Sequence, residues 1–270
     1  KTRRLVLNKP FKLLFTDIDG TLLDSERYIS TQTKDAFDQM EVDAILISSR
    51  QPSAMYYLQE ALNITGTPLV CYNGGLIIKQ SKVLSSITIS DQITKAALVK
   101  AKSLDLHLST YYLDTWTAPM EDQWTAREIN NTRVNPKLSN FDQMIAQEDH
   151  QSHKMMGMGE PEKVDALILY LETTFPNQLH CYRSKDTYVE ISPMNISKKT
   201  AIEEVLKHYY RGISLEDCIA FGDNYNDIEM LEAVGIGVAM GNAKEAVEQI
   251  AKHHTLGNKE HGVAHFLNSF

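Results

Sequence analysis

Cysteine is scarce in this 270-residue chain, with only Cys71, Cys181 and Cys218 present. An odd number, widely spaced among apolar or aromatic neighbours, argues against a disulfide framework and points to buried thiols in a reducing cytoplasm. Long apolar runs are also missing. Nothing approaches the roughly 18 consecutive apolar residues of a membrane span, and the opening Lys1-Thr2-Arg3-Arg4-Leu5-Val6-Leu7-Asn8-Lys9-Pro10 breaks before a signal-peptide core can form. A soluble cytoplasmic protein is expected, in which the Asn-x-Ser/Thr triplets at Asn63, Asn130 and Asn195 are coincidental. Because the chain starts with Lys, its natural N-terminus is expected further upstream. Cationic excess is the third absence: 27 Lys and Arg against 35 Asp and Glu leave a net charge of −8, which argues against a nucleic-acid or anionic-membrane partner.

Several signatures of chemistry are missing as well. There is no Gly-x4-Gly-Lys-Ser/Thr phosphate loop, and Gly157-Met158-Gly159 and Gly235-Ile236-Gly237 each lack the rest of a dinucleotide fingerprint. His261 and His265 have no well-spaced third ligand, so no zinc site is expected. Internal repeats and low-complexity tracts are absent. With 43% hydrophobic residues the chain can still bury a core, and its length suits one large domain or two smaller ones.

What is present is an alternation of short apolar runs and amphipathic stretches. Lys12-Leu13-Leu14-Phe15-Thr16, Ala44-Ile45-Leu46-Ile47-Ser48 and Leu69-Val70-Cys71-Tyr72 fit strands covered on both faces. Between them, Ser30 caps a helix carrying Ala36, Phe37 and Met40, and Pro52-Ser53 opens another through Leu62. The same grammar returns late: a helix from Lys198 to Tyr210, a strand from Cys218 to Phe221, a helix from Asp227 to Ala233, a strand from Ile236 to Met240 and a helix around Glu245 to Ala251. The stretch from Thr88 to Tyr188 differs. Ser90 starts a helix, Leu106 to Leu113 alternates like a half-solvated strand, Lys154 to Met158 is a Met-rich strand whose methionines read as packing, Glu160 to Phe175 is amphipathic, and Leu179 to Arg183 with Thr187 to Ser192 form a closing pair. The expected fold is α/β, a Rossmann-like core with a parallel sheet and helices on both faces, formed by residues 1–87 and 188–270, plus an inserted α+β domain at 88–187.

Two acidic motifs directly follow apolar strands. Asp17-Ile18-Asp19-Gly20-Thr21-Leu22 places two carboxylates two residues apart where open α/β sheets form their ligand crevice. Phe221-Gly222-Asp223-Asn224-Tyr225-Asn226-Asp227 repeats the placement, with Asn226 or Asp227 also able to cap a helix. If the two strand ends meet, Asp17, Asp19, Asp223 and Asp227 cannot all stay ionised without a cation, and an all-oxygen set suits Mg²⁺. Ser48-Ser49-Arg50, between a strand and a helix, offers a hydroxyl and backbone N–H groups to an anion. Ser197-Lys198-Lys199-Thr200 opens the returning helix and can supply an ammonium.

Taken in order, these four segments resemble the four motifs of the haloacid dehalogenase-like (HAD) superfamily, and more narrowly its Cof-type sugar-phosphate phosphatases with an inserted α/β cap of type IIB. The similarity extends to Asn73-Gly74-Gly75, Glu190-Ile191-Ser192-Pro193, Gly237-Val238-Ala239-Met240-Gly241-Asn242-Ala243 and Glu260-His261-Gly262-Val263-Ala264. The resemblance implies that Asp17 attacks phosphorus and that Asp19 protonates the leaving oxygen and then activates water. It implies that Asp17, Asp223 and the backbone carbonyl of Asp19 hold Mg²⁺. Ser48, Ser49, Gly20, Lys198 and Asn226 would bind the phosphoryl group, and Asp227 would support the metal shell and Lys198. Ser49 stands where the family usually has Gly, and Lys199 where Gly often follows the motif lysine, so either lysine could face the site; Lys198 is the expected one. The implied activity is Mg²⁺-dependent hydrolysis of a small phosphorylated metabolite, most simply a sugar phosphate, by a monomer or weak homo-oligomer. A phosphosugar mutase and a catalytically quiet phosphate-sensing module are the competing readings. Specificity is expected from the inserted segment, with Trp116, Trp124, Arg183 and Lys185 as candidates.

Overall fold

The computed structural model describes residues 10–80 and 82–270; the opening stretch read above for a signal-peptide core, Lys1 to Lys9, lies outside the described residues. Leu13–Thr16 (β1), Asp43–Ile47 (β2) and Leu69–Cys71 (β3) pair in parallel, as do Cys218–Gly222 (β12), Ile236–Ala239 (β13) and His253–His254 (β14) on the other side of β1. Alternation explains their apolar runs. Leu13 and Phe15 join Ile45, Ile47, Ile202 and Val205 on one face, while Leu14 and Leu46 join Phe37 and Phe221 on the other. Fully burying one such side chain contributes about 1.5–3 kcal/mol, so strands covered on both faces have no solvated side to make polar.

The helices fill both faces: Thr31–Asp38 (α1), Tyr56–Ala61 (α2), Lys198–Tyr209 (α7), Ile228–Ala233 (α8), Glu245–Ile250 (α9) and Gly262–Leu267 (α10). Ser30 caps α1 as expected, its side chain accepting from the Thr33 N–H, although Met40 falls beyond the helix end. Pro52 starts a short 3₁₀ turn before α2 rather than one continuous helix. Leu76–Lys79 (β4) and Lys82–Ser86 (β5), unread in the sequence, extend the sheet as an antiparallel edge, giving the order β14-β13-β12-β1-β2-β3-β4-β5.

A second sheet, β10-β11-β9-β6-β7-β8, is built from His107–Tyr112 (β6), Thr115–Ala118 (β7), Lys137–Leu138 (β8), Lys154–Met158 (β9), Leu179–Lys185 (β10) and Tyr188–Pro193 (β11). Asp91–Ser103 (α3), Gln123–Thr132 (α4), Phe141–Ala146 (α5) and Pro161–Thr174 (α6) accompany it. Two expectations need correction. The boundary drawn between residues 187 and 188 assigns β11 to the first sheet, yet β11 pairs with both β9 and β10, so the chain leaves this second sheet only after Pro193. The half-solvated strand is buried from His107 to Tyr111, because Leu108 packs under α3 and α6 while the opposite face is also covered. There the polar groups satisfy one another: His107 pairs with Asp122 at 2.7 Å, and the Trp116 indole N–H donates to the Ser109 hydroxyl at 2.8 Å.

Candidate active site

Register brings the two acidic motifs together. Thr16 lies opposite Phe221, and the Asp17 N–H donates to the Phe221 carbonyl at 3.0 Å, so the loops after β1 and β12 leave the sheet side by side. Gly20 makes the approach possible. Its φ is +80°, and a Cβ there would sit 2.4 Å from an Asp223 carboxylate oxygen. Thr21 donates its hydroxyl to Asp223 Oδ1 at 2.9 Å. Lys198, in the first turn of α7, is 1% exposed. Its ammonium donates to Asp17 Oδ1 at 2.7 Å and to Asp227 Oδ1 at 2.5 Å. Lys199 points outward toward Glu203, which settles which lysine faces the site. Gly74, at φ +107°, lets the loop after β3 press against the Ser197 carbonyl and hold the start of α7 in place.

The charges are unbalanced. Burial, opposed by Lys198, pushes the Asp17 carboxyl well above the usual range. Burial and then Asp227 push Asp223 up to about 6. Burial pulls the Lys198 ammonium down, but Asp17 and Asp227 outweigh it and the net shift is upward. Ligand oxygens of Asp17, Asp223 and Asp227 lie within 4.8 Å of one another, a donor set that fits a hard divalent cation. Asp227 is the least available of the three. Its Oδ1 accepts from Lys198 and its Oδ2 accepts the N–H groups of Asp223, at 2.9 Å, and Asn224, at 3.0 Å. Asp17 and Asp223 are therefore the carboxylates able to hold such an ion, with Asp227 as their support. Asn226 adds a buried side-chain oxygen without a hydrogen-bond partner, while its amide donates to Asn73 at 3.0 Å.

Ser48 is buried at the end of β2 and lines the same cavity with Ser49, Asp17 and Asn226; Gly20 is not part of that lining and acts instead by packing on Asp223. Asp19 is turned away from Lys198. The Arg50 guanidinium, 4% exposed, donates to Asp19 Oδ2 from Nε and to Asp19 Oδ1 from Nη2, both at 2.7 Å. Its remaining donors reach the Ala54 carbonyl, the Tyr57 hydroxyl and the Asn131 carbonyl, so all five N–H groups are engaged. Sequence reasoning passed over Arg50 as a functional residue, since its carboxylate partner lies 31 residues away.

Across from these loops the second sheet supplies Tyr111, Lys154, Met156, Tyr188 and Glu190, and α4 supplies Glu128. The Lys154 ammonium donates to the Ser49 carbonyl at 3.0 Å, bridging the two sheets beside the phosphate-binding candidates. Burial raises the Glu128 carboxyl against the pull of Lys154. Among the residues singled out for specificity, Lys185 lines the cavity. Trp116 is buried against Tyr111, Trp124 packs on Tyr188, and Arg183 pairs with Asp165, so none of those three does. Met155 and Met158 pack as expected, but Met156 also lines the cavity.

Acidic strand ends converging on a buried lysine, at the point where a parallel sheet changes direction, define a site for a phosphorylated ligand. Residues 14–267 match the haloacid dehalogenase-like hydrolases, and the chain belongs to that family. It is a phosphatase of this family. A Haemophilus influenzae relative bearing a phosphatase name is 32% identical over 95% of this chain and 97% of its own length. The Bacillus subtilis 5-amino-6-(5-phospho-D-ribitylamino)uracil phosphatase YitU is 30% identical over 97% and 98% of the two chains. Among solved structures, a Bacteroides thetaiotaomicron haloacid dehalogenase-like hydrolase superposes with TM-score 0.87 at 25% identity, covering 96% of this chain and 99% of that one. The subclass IIB sugar phosphatase BT4131 shares the fold, with TM-score 0.81 at 22% identity over 96% and 98% of the chains.

Proposed function

We propose that the protein is a cytoplasmic, Mg²⁺-dependent phosphomonoesterase that hydrolyses the phosphate ester of a small sugar or polyol through an aspartyl-phosphate on Asp17, acting as a monomer or weak homo-oligomer. The observation that carries this reading is Asp17 itself, a buried carboxylate at a strand end with Lys198 on one oxygen and Asp223 beside it. Asp17 attacks phosphorus and the bond to the substrate oxygen breaks. Asp19, released from Arg50 and protonated, gives that oxygen its proton. Asp19 then takes a proton from water, whose oxygen attacks the phosphoryl group and regenerates Asp17 with release of inorganic phosphate. Throughout, Lys198 keeps its proton and offsets the charge of Asp17 and the phosphoryl oxygens. The Ser48 hydroxyl, the Asn226 side chain and backbone of the Ser49 loop hold those oxygens. Asp17, Asp223 and the Asp19 carbonyl would hold Mg²⁺, which supplies charge stabilisation to the transferring phosphoryl group. Residues 88 to 193 serve as a cap that excludes water and contacts the alcohol part of the substrate.

The test is phosphate release from p-nitrophenyl phosphate and a panel of sugar phosphates. Mg²⁺ should be required, chelation should abolish release, and free phosphate rather than an isomeric sugar phosphate should be the product. Asp17→Asn should keep the fold by circular dichroism and lose at least about 10³-fold in rate, roughly 4 kcal/mol of barrier. Activity within tenfold of wild type would remove Asp17 as nucleophile.

A further inference from the structure

Two segments that stood out in the sequence, Gly237 to Ala243 and Glu260 to Ala264, do not line the cavity and take no part in the chemistry above. The first runs from β13 into the loop beyond it, and the second runs into α10. Glu260 closes the turn before α10, its Oε2 accepting the Gly257 N–H at 3.0 Å, and the Thr255 hydroxyl donates to the Gly262 carbonyl at 2.6 Å. The two segments meet through backbone and one amide. The Gly241 N–H donates to the Leu256 carbonyl at 3.1 Å, and the Asn258 N–H donates to Asn242 Oδ1 at 2.8 Å.

From this junction, bonds run to both acidic motifs. The Asn242 amide donates to the Gly20 carbonyl at 2.8 Å, and the Asn258 amide donates to the Leu23 carbonyl at 2.7 Å. The turn Ile18–Leu22 is thereby held at its glycine and just past its end. On the other motif, the Lys244 N–H donates to the Asp223 carbonyl at 2.9 Å. One loop thus grips the backbone of Gly20 and of Asp223, the residues whose close packing joins the two motifs. The direction of the Asn242 amide is fixed by its partners: its oxygen faces a backbone donor and its nitrogen a backbone acceptor, so one orientation alone satisfies both. Asn242 is exposed, so core packing does not call for an amide there. Asp17 and Asp223 repel one another when ionised, and this bracket is what resists that repulsion before a cation arrives.

We propose that Asn242 is a positioning residue for the divalent-cation site. By fixing the Gly20 backbone it sets the spacing of Asp223 from Asp17 and from the Asp19 carbonyl, without lining the cavity itself. Removing an outer partner that orients metal ligands typically costs about 10–100-fold in metal affinity. The proposal rests on the Mg²⁺-dependent reading above and deepens it.

Isothermal titration of Mg²⁺ into chelator-stripped protein tests it, with phosphate release from p-nitrophenyl phosphate followed against Mg²⁺ concentration beside it. Asn242→Ala should raise the Kd for Mg²⁺ by about tenfold, and the half-saturating Mg²⁺ for turnover by the same factor. At saturating Mg²⁺, kcat should return to within about threefold of wild type, because occupancy of the site then offsets the looser loops by mass action. Asn242→Asp keeps the acceptor for the Asn258 N–H and loses only the donor to Gly20. It should also weaken Mg²⁺ binding, although its added negative charge by itself favours a cation, and it carries the test if circular dichroism shows the alanine variant unfolded. A Kd within about threefold of wild type in either folded variant would overturn the inference, as would a kcat loss that saturating Mg²⁺ leaves in place. If the wild-type protein binds no Mg²⁺ and releases phosphate without it, the Mg²⁺-dependent reading fails and this inference with it. Mg²⁺ binding by wild type that the variants leave unchanged defeats the inference alone.

Discussion

On the floor of the crevice, Asp17, Asp223, Asp227 and Lys198 come from the ends of neighbouring strands and the first turn of α7. On the wall above it, Tyr111, Glu128, Lys154 and Glu190 come from strands and a helix of the second sheet. The floor is held by backbone: paired strand ends put Asp17 beside Phe221, and two backbone N–H groups fix Asp227. The wall is held by side chains packing on side chains, as where Lys154 lies 4.6 Å over the Tyr111 ring. Under the proposed function, groups fixed by backbone act on the feature every substrate shares, the phosphoryl group. Groups fixed by packing are free to differ in what they accept. If that division holds, floor variants should injure all substrates equally and wall variants should discriminate.

The largest effect is expected from Lys198→Met. It leaves Asp17 and Asp227 buried together without their cation, and breaking a buried ion pair from one side costs about 3–5 kcal/mol. Denaturant unfolding should report a loss of that order, partly relieved if a carboxylate takes up a proton. The rate should fall by more than about 10³-fold, by the same factor for p-nitrophenyl phosphate and for a sugar phosphate. Losses differing by more than tenfold between the two would show that the floor reads the alcohol as well.

The seam between floor and wall gives a pH effect. His153 is fully buried, accepts the Leu113 N–H on Nδ1 and faces the Ser86 hydroxyl with Nε2, stacked between Tyr72 and Tyr112. Burial lowers it from 6.5 to about 4. Below pH 6.5 the unfolded chain therefore takes up the proton first, so this residue's contribution is present above 6.5 and lost as pH falls toward 4, up to about 3 kcal/mol. Asp223, raised to about 6, acts in the opposite sense, its folded state binding the proton first. The measurement is thus the difference between wild type and His153→Gln, unfolded in urea at several pH values without Mg²⁺. A difference that stays constant from pH 7 to 4 would mean that the imidazole is not held neutral.

The same contrast explains what could be read in advance. Asp17, Asp223 and Ser48 follow apolar runs that have to be strands, and such strand ends have one place to go in an open sheet. The wall carries no comparable signal. Gln123–Thr132 has only Trp124, Ala126 and Ile129 as apolar residues, with nothing to single out Glu128, and β7 and β8 are four and two residues long. Arg50 was visible only as a neighbour of Ser49, because its role depends on Asp19 lying across the crevice. The edge hairpin β4–β5 escaped because Lys82–Ser86 is largely exposed and lacks an apolar run.

Glu128→Gln tests the wall directly. Its carboxylate accepts from the Asn131 side chain at 3.2 Å and is 7% exposed, so the amide fits the same space but loses the charge facing Lys154. We expect kcat/KM to change by about tenfold, near 1.4 kcal/mol, for metabolite esters whose alcohols reach the wall. For p-nitrophenyl phosphate the change should stay within threefold, on the order of 0.6 kcal/mol. An equal change for both would move Glu128 to the floor in functional terms.

The smallest effect is expected one residue from the largest. Lys199 shares the first turn of α7 with Lys198, yet its side chain is 43% exposed and its partner Glu203 lies 4.0 Å away on the same helix face. An exposed pair of this kind is worth about 0.3–0.5 kcal/mol, and the ammonium takes no part in holding Asp17. Lys199→Ala should therefore leave kcat and KM within twofold for every ester tested and shift the unfolding midpoint only slightly. Ser197 is what separates the two lysines. Its side chain accepts the Thr200 N–H at 3.2 Å and fixes where the helix begins, and with it which of the two side chains turns inward. A tenfold rate loss in Lys199→Ala would mean that the helix start shifts in solution and that the two lysines share the work. Ser197→Ala should then worsen that loss by weakening the cap.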